Sequence, residues 1–519
     1  MGQRLGSASE SGRRGVGQHP LACAGDSDGR HLVALRIERA QHVGRSHATH
    51  VVLGRFAAEN HDDTGARARI HSSPRYLPRT LGGRMRYMAS DVAHAVGGTL
   101  SGRNAHLSGA SFDSRTLQMG QLFVPIVAQR DGHDFINDAL ARGAGAYLTS
   151  REAAAGTCIV VPDTVEALRK LGRFARERLA GRVAHRVVGI TGSVGKTTTK
   201  DLAAAALGAS FTVAASSRSF NNDQGVPITL LNAPDDCDAL VLEMGMRGHG
   251  EITRLTQVGM PVVGVVTAVA EAHSALLDDL DGIARAKGEL VEALPAEGTA
   301  ILNADDERVL AMQSRTPASV VTYGESASAT VRITSVSLDA SAHATVDLAT
   351  PWGHVRFALP VAGRHSAHNA AAAIAIAGVC GADLQKAAAA IAAAPMSPNR
   401  MSVRTTSRGV MLIDDCYNAN PKSMAAAFDT LSSLPARRRV AFVGFMAELK
   451  DPTIAHRAIA ALARRLDIEL VAVDCNHYGV DTITLQAAML RAAEFADGDA
   501  VLVKGSRVAG LERLVEAFA

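Results

Sequence analysis

Residues 189–199 read Gly189-Ile-Thr-Gly-Ser-Val-Gly-Lys-Thr-Thr-Thr199, "GITGSVGKTTT". The stretch follows the apolar, β-branched run Val187–Ile190 and opens a helical pattern at Lys196, the strand, loop and helix order of a phosphate site. Backbone N–H groups of such a loop and of the helix start point at phosphate oxygens, and the helix dipole favours negative charge there. Lys196 is placed to meet the β- and γ-phosphates and the Thr197 hydroxyl a magnesium ion. The strict pattern G-x-x-x-x-G-K-[ST] nevertheless requires glycine at 190, where this chain has Ile190. A glycine-rich turn before an ordinary helix is the competing reading.

Strands alternate with helical runs on both sides of the loop, as expected of a doubly wound, mostly parallel sheet. Downstream come Leu240–Glu243, Val262–Thr267, the helical Gly282–Leu294 and Ala300–Asn303. A third block repeats the style with Met411–Asp414, Met424–Leu434, Val440–Val443, Ile454–Arg465, Leu470–Val473 and Ala500–Lys504. Upstream, 88–180 mixes the strand-like Leu122–Val127 and Cys158–Val161 with the helical Phe135–Arg142 and Val165–Leu179. The prolines of "PMSPNR" (395–400) separate blocks two and three. The expected division is 88–180, 181–397 and 398–519, consistent with 519 residues at roughly 150 per domain.

Composition narrows the classes. No window approaches the ~18 uninterrupted apolar residues of a membrane span. The six cysteines, at 23, 158, 237, 380, 416 and 475, form no C-x-x-C pair, which argues against a zinc site or disulfide scaffold and for a reducing cytoplasm. Residues 1–87 hold 14 arginines, no lysine and 7 acids, so 88–519 carry −4 of the overall +3. A nucleic-acid-like balance thus belongs to this leader alone, which reads as a disordered extension, an over-long start or a transit peptide. A well-patterned sequence begins at Met88.

Three further residues stand out. Glu243 ends an apolar strand and is followed by Gly245, where it serves either as a metal-holding carboxylate or as a solvated acid. His273 follows the strand 262–267 and is structural or functional. Lys287 sits at the edge of the stripe Ile283, Ala286, Leu290 and Val291; it snorkels, or it faces inward and must be paired or neutral.

Together these residues resemble the Mur ligase family of peptidoglycan synthesis, ATP-dependent enzymes that form amide bonds. That family's loop reads T-G-x-x-G-K-T-T, matched here by Gly192, Gly195, Lys196 and Thr197, which accounts for the absent glycine at 190. In family order follow "SFDSRTLQMGQLFVP", "RDGHDF", "FNNDQGVPITLL", "LEMGMRGHGEI", "ARAKGEL", "ILNADD", "GRHSAHNA", "LIDDCYNANPKSM" and "VLVKGSR". The D-D-x-Y-N-A-N-P stretch, with Cys416 in its variable place, points to the branch acting on UDP-N-acetylmuramoyl-tripeptide and D-alanyl-D-alanine.

The resemblance implies a small N-terminal α/β domain for the UDP-substrate, a central P-loop ATPase-like domain and a C-terminal Rossmann-like domain. It implies ATP and Mg²⁺ as cofactors and a cytoplasmic monomer without nucleic-acid or membrane partners. Asp113, Ser114, Arg115, Asp131 and His133 then fall to the UDP-sugar end. Gly192, Ser193, Gly195, Lys196, Thr197 and Thr198 fall to ATP phosphate, and Asn303 and Asn369 to the adenine side. Thr197, Glu243, His273 and Lys287 fall to the metals, Lys287 matching a lysine that relatives carbamylate. Arg400 and Asp415 fall to ATP phosphate and ribose, and Tyr417, Asn418, Asn420, Lys504, Ser506 and Arg507 to substrate. Lys196, His273, Lys287 and Arg400 carry the catalytic roles. With ATP residues split between blocks two and three, the third domain is expected to close on the second.

The chain also departs from the family pattern. "TAVAEAH" (267–273) replaces an Asn-x-Gly stretch, and "VGFMAELK" (443–450) stands where G-D-M-x-E-L-G is usual. Phe445 thus replaces an acid and Lys450 a glycine.

Overall fold

The computed structural model describes residues 83–153, 155–217, 219–271 and 279–518. His273 lies outside the described residues.

The central sheet has nine strands. Its middle strand is Val187–Thr191, flanked by Ala239–Glu243 on one side and Val263–Val266 on the other, all parallel. Beyond Ala239–Glu243 lies Val213–Ala215; beyond Val263–Val266 lie Thr299–Asn303 and Ser319–Gly324. The three middle strands, Val187–Thr191, Ala239–Glu243 and Val263–Val266, are buried along their length, the condition of a parallel sheet covered by helices on both faces. The chain leaves Val187–Thr191 towards one edge and later returns to build the other, so its carboxyl end is a topological switch point, where ligands bind in such sheets. The antiparallel ribbon Val331–Leu338, His343–Thr350 and Gly353–Ala362 extends the sheet. The Ala-rich helix Ser366–Val379 packs against these strands and Lys196–Gly208, its alanines wholly buried.

The third sheet has six strands in the order Ser402–Thr405, Met411–Asp415, Asp499–Lys504, Arg438–Val443, Glu469–Val473 and Thr482–Ile483. Only the first pairing is antiparallel. Register aligns Asp415 and Val443 with Lys504, so these residues share one carboxyl edge.

A five-stranded sheet, Thr99–Ser101, Cys158–Val160, Ala146–Thr149, Leu122–Phe123 and Ala110–Ser111, belongs to the first block. The expected strand Leu122–Val127 is shorter because Pro125 follows closely and cannot donate to a ladder. The expected start at Met88 also needs correction. Arg86–Met88 is a strand paired with His106–Ser108, and both Met85 and Tyr87 are buried. Ordered structure therefore precedes Met88, whose choice as a boundary rested on where clear patterning began.

Candidate active site

The phosphate loop is built by exclusion of side chains. A Cβ on Gly192, whose φ is 148°, would lie 1.9 Å from Thr267 Oγ1. One on Gly195, at φ 84°, would lie 2.4 Å from Asn369 Oδ1. Both conformations suit glycine alone. Ile190, by contrast, is inside the strand and fully buried, so the missing glycine belongs to a position that is core. The loop is tied to the neighbouring strand end. Thr267 Oγ1 donates to Val194 O at 2.6 Å and lies 3.2 Å from Thr191 O, while Ser193 Oγ donates to Ala270 O at 2.8 Å. The stretch Thr267–Ala270, a departure from the family pattern, is thus the wall against which the loop is moulded.

Lys196 starts the helix and folds back, its ammonium donating to Gly192 O at 2.6 Å. Burial lowers its pKa; Glu243 opposes that shift, Arg400 adds to it and Glu448 opposes it. Arg400 and Glu448 come from the third block, which therefore already bears on the loop. Thr197 Oγ1 donates to Glu243 Oε2 at 2.8 Å, and Asn221 Nδ2 donates to Oε1 at 2.8 Å. Glu243 is 1 % exposed, so it is not a solvated acid. Asn221, in the quoted "FNND" stretch, had been given no role; its only sequence signal was membership of that motif.

Lys287 is 2 % exposed and does not snorkel. Its helix, Leu280–Glu292, packs on the strands that carry the phosphate loop and Val263–Val266. Burial, with the nearby Lys196 charge adding to it, holds the Lys287 amine well below the ordinary lysine range.

Two asparagines expected on the adenine side hold protein groups. Asn303 Nδ2 donates to Thr267 O at 2.9 Å, and Asn369 Oδ1 accepts from Thr199 Oγ1 at 3.2 Å. Nearby, Asp306 accepts from Val269 N at 3.0 Å and from Lys422 Nζ of the third block at 3.4 Å. Thr198 lies half-buried in the first turn after the loop.

Across the cleft, Asp415 is an organising group. Its Oδ2 accepts from Lys504 Nζ, which is buried, and its Oδ1 accepts from Met401 N at 3.1 Å. Lys504 also donates to Asn418 O at 2.9 Å. Asn399 and Met401, the residues on either side of Arg400, both have left-handed φ, 61° and 49°. Asn399 Nδ2 donates to the Asp414 carboxylate at 3.1 Å, and Tyr417 N donates to Asn399 O at 3.1 Å. The strained backbone presents Arg400 over the Tyr417 ring, guanidinium 4.1 Å from its centroid, with Arg507 5.6 Å from the same ring. The Tyr417 hydroxyl meets Ser219 Oγ of the second block. Ser506 Oγ donates to Ala419 O at 3.3 Å and accepts from Ala447 N at 2.9 Å, and Asn420 caps the helix Pro421–Ser433.

The first-block residues bond chiefly among themselves, while the Phe112 ring, beside Asp113, meets that of Phe220, beside Asn221, at 5.4 Å between centroids. Arg115 grips Asp113 through two nitrogens at 2.8 and 2.9 Å and holds its carboxyl below the usual carboxylate range. Ser114 is buried beside them. Asp131 caps the short helix Gly132–Phe135 and accepts from His133, whose Nε2 accepts from Ser150 N at 3.1 Å. Its carboxyl is also held low, first by the His133 backbone N–H. Asn232 ties this block to the second, donating to Ala110 O at 2.8 Å.

The chain is similar to a set of known proteins along most of its length. Residues 190–377 match the Mur ligase middle domain, and residues 399–507 match the family described as Mur ligase, glutamate ligase domain. The UDP-N-acetylmuramoyl-tripeptide–D-alanyl-D-alanine ligase of Mycobacterium tuberculosis is 36% identical over 495 residues, covering 83% of this chain and 97% of that protein. The MurF crystal structure from Acinetobacter baumannii superposes with a TM-score of 0.76 at 27% identity, covering 84% of this chain and 99% of that one. MurF ligase from Thermotoga maritima, solved in complex with ADP, gives 0.68 at 25% identity, covering 79% and 96%.

Proposed function

The chain belongs to the Mur ligase family, and from that premise we infer that it is an ATP-dependent ligase joining D-alanyl-D-alanine to the terminal carboxylate of UDP-N-acetylmuramoyl-tripeptide. The observation that carries this reading is the pairing of the phosphate loop with "DDCYNANP" (414–421) across one cleft, Tyr417 touching Ser219 and Arg400 lying within electrostatic reach of Lys196. ATP is the energy source, in keeping with the ADP held by the Thermotoga maritima relative.

The reaction sets anion against anion when the tripeptide carboxylate attacks the γ-phosphoryl group. Lys196 and Arg400 bring positive charge from two blocks to that point, and the loop N–H groups fix the phosphates without rearrangement. The acyl phosphate and ADP form; the dipeptide amine then attacks the acyl carbon, phosphate leaves with the bonding pair, and the amine gives up a proton. No enzyme nucleophile is required, and the five described cysteines are all buried.

The Thr197 hydroxyl and the Glu243 carboxylate are hard oxygen donors converging beside Lys196, a set that fits Mg²⁺, which takes few protein ligands and leaves other positions to phosphate and water. Bound there, the metal would supply charge neutralisation at the phosphates. Burial holds the Lys287 amine well below the ordinary lysine range, which favours the unprotonated form that is nucleophilic towards CO₂, and its carbamate would add a negative ligand in place of an ammonium. We assign residues 88–180 to the UDP-substrate, 181–397 to ATP and 398–519 to closure over both. We place the reaction in the cytoplasm, carried out by a monomer without nucleic acid; no helix among the described residues is long and apolar enough to cross a membrane.

The test is phosphate release from ATP with each substrate omitted in turn. Release is expected only with UDP-tripeptide and D-alanyl-D-alanine together. Equal release with a single amino acid in place of the dipeptide would reject the acceptor assignment, and ATP binding without any amide product would mark a nucleotide-binding relative without ligase activity.

A further inference from the structure

Residues 219–221, between the strand Val213–Ala215 and the helix Gly225–Leu231, reach three different parts of the site from three consecutive positions. Ser219 Oγ meets the hydroxyl of Tyr417 in the third block, whose ring lies within cation–π distance of both Arg400 and Arg507. The Phe220 ring packs against Phe112 of the first block, centroids 5.4 Å apart and planes at 45°, and Phe112 directly precedes Asp113, Ser114 and Arg115. Asn221 Nδ2 donates to Glu243 Oε1 at 2.8 Å, while Thr197 holds Oε2. The stretch is fastened along its length. Ser216 Oγ accepts from Glu243 N at 3.1 Å, Phe220 N donates to Ser217 O at 3.0 Å, Gly245 N donates to Asn221 O at 2.7 Å, and Asn222 Oδ1 accepts from Gly225 N at 2.9 Å. With the backbone held on both sides, a displaced Phe220 ring carries its two neighbours with it.

The first block grips this element at two points. At the far end of the helix Gly225–Leu231, Asn232 donates to Ala110 O at 2.8 Å and accepts from Ala110 N at 3.2 Å. At the near end Phe220 meets Phe112. Both contacts fall on the edge strand Ala110–Ser111 or on the residue after it, where the chain leads into the side chains assigned above to the UDP-substrate. A shift of that edge is therefore felt one residue from the amide that orients the Glu243 carboxylate. We propose that Phe220 is a positioning residue that couples occupancy of the UDP-substrate site to nucleotide binding, acting through Asn221 on Glu243 and through Ser219 on Tyr417. The proposal rests on the ligase reading above. A filled first-block site fixes the Phe112 edge, so that Glu243 and Tyr417 are already set when the nucleotide arrives, and by linkage each ligand tightens the other by the same factor.

Titration calorimetry of the full chain tests it, using Mg²⁺ and adenylyl methylenediphosphonate, a nucleotide that cannot transfer its γ-phosphoryl group, with and without saturating UDP-tripeptide. In the unaltered chain UDP-tripeptide is expected to tighten nucleotide binding by about fivefold or more. In Phe112→Ala and in Phe220→Ala the factor should fall to within about twofold of unity, and the double variant should lose no more than either single one, as the two halves of one contact do. Phe112→Ala leaves residues 219–221 unaltered, so its affinity for the nucleotide alone should stay within about twofold of the parent, and Phe112→Leu, which keeps an apolar contact, should retain part of the coupling. A factor near unity in an unaltered chain that binds UDP-tripeptide overturns the proposal, and so does an undiminished factor in Phe112→Ala. Nucleotide binding weakened equally with and without UDP-tripeptide also overturns it, because that is the mark of a structural role alone. Should Phe220→Ala fail to fold, the two Phe112 variants decide. Failure of the ligase reading is distinct, because the unaltered chain would then give no heat of binding with UDP-tripeptide itself.

Discussion

The hydroxyl of Thr267 lies where a Cβ on Gly192 would have to be, at 1.9 Å, and that hydroxyl is already committed to the carbonyl of Val194. Gly192→Ala therefore has no room and an unsuitable φ. The displaced loop would misplace its phosphate-binding N–H groups, and misplacement of about 1 Å costs roughly a hundredfold in rate. Phosphate release should fall by about that factor while circular dichroism shows the fold retained. Activity within a few-fold of the parent would mean that the loop is not the catalytic phosphate site.

Asp415 and Lys504 form a buried ion pair at the carboxyl edge of the third sheet. Removing one partner leaves the other charge buried without compensation, at a cost of about 3–5 kcal/mol, whereas replacing both by apolar groups is often tolerated. Asp415→Asn should therefore lower the melting temperature clearly, and the Asp415→Leu, Lys504→Met double variant should regain much of it. Both should raise KM for ATP, because Asp415 also holds Met401 beside Arg400. A double variant no more stable than the single one would assign the loss to shape and not to the unpaired charge.

Lys287 gives a pH signature. Its folded pKa is depressed below an unfolded value of about 10.4. Between the two values the unfolded chain binds the extra proton, so stability rises with pH in that window and the burial cost is largest below it. In CO₂-free buffer, Lys287→Met should melt higher than the parent at neutral pH, show a shallower pH slope and have no ligase activity. Short-chain acids should restore some activity to Lys287→Ala if a carbamate acts there. A variant of unchanged stability would contradict the burial cost that depresses this amine.

Much of the core was legible because it rests on periodicity. The strands 187–190, 240–243 and 300–303 were read to within one residue at either end, since runs of buried β-branched residues between helical stripes admit few other parallel arrangements. The ribbon 331–362 escaped notice because its strands alternate buried and exposed residues and rely on each other for pairing, a weaker local signal. Glu243 was found from its place at a strand end, whereas Asn221 and Thr267 act through contacts 22 and 73 residues distant in sequence, which no local pattern encodes. Met85 and Tyr87 were missed for a similar reason: their burial depends on pairing with His106–Ser108 and on Ala233, far along the chain.

Phe445 stands where the family pattern has an acid, and its surroundings have adapted to the ring. It stacks on His456 at 5.3 Å between centroids and 17°, with His477 at 5.6 Å, and Tyr478 meets His456 edge-on at 4.6 Å. His456 is fully buried, and burial lowers its pKa. Because Met446 N donates to Nε2, the ring keeps its proton on Nδ1, directed to Pro452 O. A carboxylate at 445 would lose this stacking and lie half-buried against a neutral imidazole that has no proton left to offer. Phe445→Asp is therefore expected to destabilise the chain by about 1–3 kcal/mol and to lower activity, although it restores the family residue. Phe445→Leu, which keeps the apolar contact without the stacking, should cost less. Thermal melts and phosphate release on the two variants check this, and higher activity in Phe445→Asp would show that the aromatic is a defect and not a co-adapted replacement.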